Sequence, residues 1–330
     1  MFELAGEGAA STDAPRKLLL RQGQALGDVV VLTAAVRDLH KAQPGKFVTD
    51  VRTSCGAVWE NNPYITKIED EEEPEEIDCH YPLINNAHLP HHFITGFHDF
   101  LSAKLGVEVP ITEFRGDLHL SGDEMRWMSQ VEETGYRGRY WVVMGGGKKD
   151  FTTKWWPHSY YQAVVDHFRG KIQFVQAGVT THHHQLLKGV IDLRDKTDIR
   201  QFIRLIYHAD GVLCPITGAM HVAAALPKKD GQVRACVVVA GGREQANWER
   251  YPWHRYLDNV GTMPCCLERA CWKNRCQPIN DGDPKDEARC PYPVMIDHGV
   301  LTPRCMAQIR PEDAIRAIES YYDGGALTYG

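Results

Sequence analysis

Three short stretches of this 330-residue chain set reactive side chains beside glycine. Gly27-Asp28 stands between the apolar run Lys17-Leu-Leu-Leu-Arg21 and a segment carrying Val29, Leu32, Ala35, Val36 and Leu39 at helical spacing. Strand, glycine turn and helix in that order place Asp28 beyond the C-terminal end of a strand, where open parallel sheets hold their ligands. A carboxylate there can take a proton from a hydroxyl, or it can cap the helix by accepting free backbone N–H groups. Position alone leaves both roles open.

Thr217-Gly218, with His221 one turn on, lies between the short apolar strand Gly211–Pro215 and a helix. A helix start offers backbone donors and the positive end of a dipole, and a hydroxyl beside glycine lets a phosphate come close. The plain alternative is a glycine turn with a packed histidine. Lys154 sits in the loop after the strand Tyr140–Met144, backed by Trp155, Trp156 and Pro157. An ammonium there can neutralise a departing pyrophosphate while the aromatic rings pack the loop. Lys148 and Lys149 are its rivals.

Six of the ten cysteines, Cys265, Cys266, Cys271, Cys276, Cys290 and Cys305, crowd one stretch near the C-terminus. In a reducing compartment such crowding suggests a structural Zn or Fe site more than disulfides, with free or packed thiols as the alternative. The preferred ligands are Cys266, Cys271, Cys290 and Cys305, with Cys265 and Cys276 as alternates. His182-His-His184 reads as exposed, and His88, His91, His92 and His98 as structural. Trp248 and Tyr251-Pro-Trp253 are placed either to stack a base or sugar at a rim or to pack inside.

The elements that must position these groups alternate between strand and helix. Strands are expected at Lys46–Val51, Ile65–Ile68, Ile172–Gln176, Val190–Asp192 and Val233–Val239. Helices are expected to end near Asn61-Asn-Pro63, to start near Tyr160, and to cover Ile199–Ala209 and Pro311–Tyr322. That alternation implies parallel sheets in an α/β chain. The acidic run Glu69–Glu76 reads as a solvated surface loop. The length suits two domains, drawn at 1–135 and 136–310, the second including a Cys-rich segment 264–306, with a terminal helix and tail at 311–330.

Hydrophobic residues make up 43% and charged residues 24%, an ordinary globular balance with no run of the roughly 20 apolar residues that spans a bilayer. The N-terminal stretch does not look like a secretory signal, so a cytoplasmic protein is expected. Thirty-seven basic against 43 acidic residues give a net charge of −6, which disfavours nucleic acid as a partner.

Together, Leu26-Gly-Asp-Val29 with Thr33-Ala-Ala-Val-Arg37, Lys154-Trp-Trp-Pro157 and Thr217-Gly-Ala-Met-His221 resemble glycosyltransferase family nine. Its members include the ADP-heptose heptosyltransferases of lipopolysaccharide synthesis and their autotransporter-modifying relatives. The resemblance implies a GT-B fold, two Rossmann-like domains facing a central cleft, with acceptor on the N-terminal and sugar nucleotide on the C-terminal domain. It implies that Asp28 is the general base of an inverting transfer, with Lys154 supporting the leaving group. Gly27, Gly146, Thr217, Gly218, Met220 and His221 are expected to hold an ADP-heptose-like donor, and no catalytic metal is expected. Autotransporter relatives carry an iron-binding cysteine finger at about the place of the Cys cluster. The chain departs from the family pattern at Ile216, where an aspartate usually precedes the Thr-Gly, so a carboxylate contact to the donor is missing or moved. The acceptor is a saccharide or protein hydroxyl, and an oligomer is compatible with this reading. A sugar-nucleotide epimerase on the same scaffold and a non-catalytic sugar-nucleotide binding protein are the competing functions.

Overall fold

In a computed structural model, residues 14–79, 91–127, 129–229, 231–232 and 234–329 are described. The chain opens with β1 (Arg16–Gln22), α1 (Leu26–Ala42), β2 (Phe47–Thr53), β3 (Glu75–Asp78) and α2 (Phe93–Leu105). β1 pairs in parallel with β2 on one side and β3 on the other, and Leu18, Leu19 and Leu20 at its centre are buried.

The short helices α3 (Gly122–Arg126) and α4 (Gln130–Glu133) lead into the second half. It contains β4 (Tyr140–Val143), β5 (Gly146–Gly147), α5 (His158–His167), β6 (Gln173–Gln176), β7 (His183–His184), β8 (Ile191–Asp192) and α6 (Ile199–His208). There follow β9 (Gly211–Pro215), α7 (Gly218–Ala225), β10 (Ala235–Gly241), α8 (Ala246–Glu249), β11 (His254–Asp258), β12 (Pro293–Met295), β13 (Leu301–Pro303), α9 (Arg304–Gln308) and α10 (Pro311–Asp323).

Six of these strands form one sheet in the order β8-β6-β4-β9-β10-β11, every pairing parallel. β4, β9 and β10 are buried along their whole lengths, as continuous apolar runs in a doubly covered parallel sheet must be. Chain order reverses direction across the sheet between β4 and β9. At such a reversal the loops after the two strands part and leave a crevice.

The apolar core runs without a break from one sheet to the other, because α1 and α7 pack together and Val30, Val31, Met220 and Val222 share it. A buried ionic staple adds to it. Arg37 donates to both oxygens of Asp38 at 2.8 and 2.9 Å and to the carbonyls of Glu113 and Arg115. His98 and Thr112 bond the same carboxylate.

Several local expectations need correction. No strand forms at Ile65–Ile68, where only Thr49 and Ile65 make a single bridge, and the stretch before Asn61 gives a 3-10 turn, Gly56–Trp59. The third strand of the first sheet is β3, inside and beyond the acidic run read as a loop. Its carboxylates are matched by β1: Arg16 meets Glu75 and Arg21 meets Glu76, each at 2.7 Å, while Lys17 reaches Glu72 at 2.6 Å. His184 of the histidine triple is buried, because β7 pairs with β5. His92 and His98 are buried and structural; His88 lies outside the described residues. Among the described residues no helix is long and apolar enough to cross a membrane.

Candidate functional site

A cleft of about 870 Å³ opens between the end of β1 and the ends of β4, β9 and β10. It is lined by Asp28 and Gly27 of α1, by Lys148 and Lys154, by Thr217, Gly218 and His221 of α7, and by Arg243, Glu244 and Glu249 after β10. Parallel strands bring loop after loop to the same edge, which is why residues so distant in sequence meet here.

Helix α1 starts at Leu26, three residues earlier than its apolar spacing suggests, so Asp28 falls within the first turn. There one carboxylate oxygen accepts the Ala25 N–H at 2.9 Å, closing the helix start. The residue also lines the cleft, and no described residue bonds its other oxygen. The capping and cleft-facing roles are therefore compatible. Gly27 has to be glycine, since a Cβ on it would stand 2.6 Å from Cδ2 of His221. The first turns of α1 and α7 touch here.

His221 is buried, and its Nδ1 meets the Tyr251 hydroxyl at 2.8 Å. Burial, with Lys154 adding, pulls its pKa down to about 4 against the pull of Asp28, so the ring is neutral near pH 7. Its Nε2 lies 3.7 Å from Glu249. Thr217 is the N-cap of α7, yet its hydroxyl makes no capping bond and is buried without a partner. An unspent hydroxyl at a helix start is available to a ligand.

Lys154 ends a 3-10 turn, Lys149–Lys154, and its ammonium lies 3.0 Å from Glu244. Glu244 is paired with Arg243, whose guanidinium lies over Phe151 at 4.6 Å and Trp272 at 5.3 Å. Burial pulls the Lys154 ammonium down from its ordinary range and pushes the Glu249 carboxyl up. The charge of Asp28 acts on Lys154, His221 and Glu249 alike, which is the electrostatic sign of their convergence. Trp155 and Trp156 pack the loop as expected: Trp155 stacks on His183 at 3.8 Å, and Trp156 bonds the Ile309 carbonyl. Lys148 and Lys149 are exposed.

Two expected donor residues fall elsewhere. Met220 is fully buried in the core, because two residues along α7 from Gly218 the helix has turned that side chain away from the cleft. Gly146 is committed to the β5–β7 ribbon, where a Cβ would overlap the His183 carbonyl, and it is Gly147 that reaches the cleft. Trp248 is buried, Tyr251 serves His221, and Trp253 is 60% exposed away from the lining; Trp272 stands at the cleft instead. Arg243, Glu244 and Glu249 were not anticipated, although Gly241-Gly242 at the end of an apolar strand is the same signal that marks the other loops. With Ile216 in place of an acid, Glu244 and Glu249 are the carboxylates that α8 and the loop before it bring to the cleft.

The clustered thiols gather beside this wall. Cys266 and Cys305 pack on Gly242, and the Cys271 N–H donates to the Gly242 carbonyl. Cys290 shares a hydrogen bond with Cys276 and is pulled down to about 7 by it, while burial pushes Cys265 up to about 11, with Cys271, Cys266 and Cys290 adding. As placed, no three His, Cys, Asp or Glu side chains among the described residues are arranged to hold a metal ion.

Residues 84–230 match the model of glycosyltransferase family 9 (heptosyltransferase). No curated protein matches the chain in sequence. Its fold is similar to that of a family 9 glycosyl transferase from Veillonella parvula, at 14% identity, 95% of this chain, 98% of that one and a TM-score of 0.66. E. coli ADP-heptose lipopolysaccharide heptosyltransferase II aligns at 14% identity over 94% of this chain and all of its own, with a TM-score of 0.58. The dodecameric iron-containing heptosyltransferase TibC of enterotoxigenic E. coli, solved in complex with ADP-D-beta-D-heptose, aligns at 13% identity over 98% of this chain and 81% of its own, with a TM-score of 0.62.

Proposed function

We propose that this chain, a glycosyltransferase of family 9, transfers a heptose or related sugar from a nucleoside diphosphate donor to an acceptor hydroxyl, with inversion. The observation that carries the reading is convergence. A carboxylate from the first turn of α1 shares one cleft with the Lys154 ammonium, the unspent Thr217 hydroxyl and the start of α7.

In this scheme the open oxygen of Asp28 takes the proton of the acceptor hydroxyl. The acceptor oxygen forms a bond to the anomeric carbon as the bond to the diphosphate breaks on the opposite face, and the electron pair leaves on the diphosphate. Lys154, Thr217 and the backbone N–H groups at Gly218 receive that charge, with Arg243 behind them. His221 contributes a hydrogen bond and not a charge. Because Lys154, Arg243 and the α7 dipole supply positive charge, the scheme calls for no divalent ion. Donor binds on the side of the six-stranded sheet and a saccharide or protein acceptor on the side of the three-stranded one, in the cytoplasm, where the thiol-rich composition belongs.

The test is release of nucleoside diphosphate from ADP-heptose with and without candidate acceptors. Asp28→Asn should lower kcat by about 10²- to 10⁴-fold while calorimetry still detects the donor. Full turnover in that variant would remove the base from Asp28. An epimerase would alter the sugar without releasing nucleotide, and a binding protein would gain heat stability from donor and release nothing.

We also propose a structural Zn or Fe held by Cys266, Cys271, Cys290 and Cys305, supported by the gathering of Cys266, Cys271 and Cys305 around Gly242 and by the fold's similarity to an iron-containing transferase. The thiols would have to draw inward to close a tetrahedral set. Elemental analysis of freshly isolated protein should find about one metal per chain, and none would refute the site.

A further inference from the structure

Lys154 and Arg243 come from loops some 90 residues apart, yet both are tied to one short piece of backbone in the Cys-rich segment. Thr152 and Thr153, directly before Lys154, are 0% and 3% exposed. The Thr153 hydroxyl is shared between the carbonyls of Lys273 at 2.7 Å and Asn274 at 2.9 Å, and its N–H donates to Asn274. The Thr152 hydroxyl donates to the Gln277 carbonyl at 2.9 Å and accepts the Cys276 N–H at 2.8 Å. Arg243 Nε donates to the Lys273 carbonyl at 2.9 Å.

The turn that carries Lys154 is poorly supported from within. Phe151 breaks its helical geometry at φ −130° and ψ 67°, and the bonds at its two ends are long, from the Phe151 N–H to the Lys148 carbonyl at 3.4 Å and from the Trp155 N–H to the Thr152 carbonyl at 3.2 Å. A lysine on such a turn has many accessible positions, and ordering it on binding would weaken the ligand's hold. Two buried hydroxyls anchored to the neighbouring backbone of residues 273–277 remove that freedom beforehand.

We propose that Thr152 and Thr153 are positioning residues: they lock the Lys149–Lys154 turn onto backbone 273–277, so that Lys154 and Arg243 meet a diphosphate as a fixed pair. Through this lock the Cys-rich segment sets donor affinity, beyond lining the wall with Ala270, Cys271 and Trp272. The inference rests on Lys154 receiving the diphosphate, as proposed above.

ADP is the probe, with its dissociation constant measured by calorimetry on the full chain well below the melting temperature. Thr152→Val/Thr153→Val should bind ADP about tenfold more weakly, while the Ser pair, which keeps both hydroxyls, should stay within about twofold of the parent. Donor KM should rise in step with the acceptor KM unchanged. If the double Val variant does not fold, Thr153→Val alone, which leaves the Cys276 amide paired, carries the test. A folded Val variant that binds ADP like the parent, while Lys154→Ala binds poorly, overturns the lock and leaves the diphosphate reading standing. Should Lys154→Ala also bind like the parent, both fall.

Discussion

Around Asp38 the hydrogen bonds are spent: both oxygens are taken by Arg37, His98 and Thr112, and the guanidinium finds two backbone carbonyls besides. Around Lys154 the charges are less deeply placed, Thr217 Oγ1 and Trp272 Nε1 are buried with no partner, and the groups border open space. Buried polar groups are normally satisfied, so the first cluster is architecture, whereas the second leaves polar atoms open at the cleft. The two differ in what removal of a member should cost.

Breaking the saturated cluster should give the largest effect. Asp38→Ala leaves the Arg37 guanidinium buried and unpaired, and should lower the unfolding free energy by about 3–5 kcal/mol in denaturant titration. An unchanged midpoint would erase the contrast. The same carboxylate gives a pH signature. Burial pushes it up, but the bonds from His98, Arg37 and Thr112 override this and hold it well below the carboxylate range. Its stabilising share is therefore full above the unfolded value of about 3.9 and is lost as pH falls below it, so the acid limb of a stability profile should flatten in Asp38→Asn.

Removing a charge from the cleft should act on binding instead. Lys154→Ala should weaken ADP about 10- to 100-fold with the melting temperature unchanged or raised, since binding sites are held at some cost to stability. A loss of stability comparable to that of Asp38→Ala would make the two clusters alike. The smallest effect is expected at Thr217→Val: a few-fold in ADP affinity and none in stability, because the hydroxyl has no protein partner to lose.

In the second half of the fold β4, β9 and β10 were legible because they are uninterrupted apolar runs, and α6 and α10 because they carry clear apolar faces, whereas β11, His254-Arg-Tyr-Leu-Asp258, gave no such signal. Strand β9 and helix α6 lie within a residue of their expected limits. The first half hid β3, since carboxylates are poor strand formers; its backbone pairs with β1, Ile77 is buried, and Arg16 and Arg21 stand opposite Glu75 and Glu76. In the site, glycine turns at strand ends disclosed Asp28, Lys154, Thr217, Gly218 and His221. Met220 was misplaced because adjacency in sequence was taken for adjacency in the cleft, which a helix does not grant. Arg243 and Glu249 stayed hidden although Gly241-Gly242 ends an apolar strand just before them, because their meaning depends on Lys154 lying across from them.

The uniform direction of the six strands also sets the cleft at one rim of the sheet and leaves a second hollow at the opposite rim. Arg139, Asp210, Arg234 and Thr328 meet around a hollow of about 240 Å³ at the starting ends of β4, β9 and β10. Strand length puts that hollow about 15–20 Å from the chemistry. A dye, a surface tether or a crosslinker attached there would report on the protein without standing in the path of either substrate.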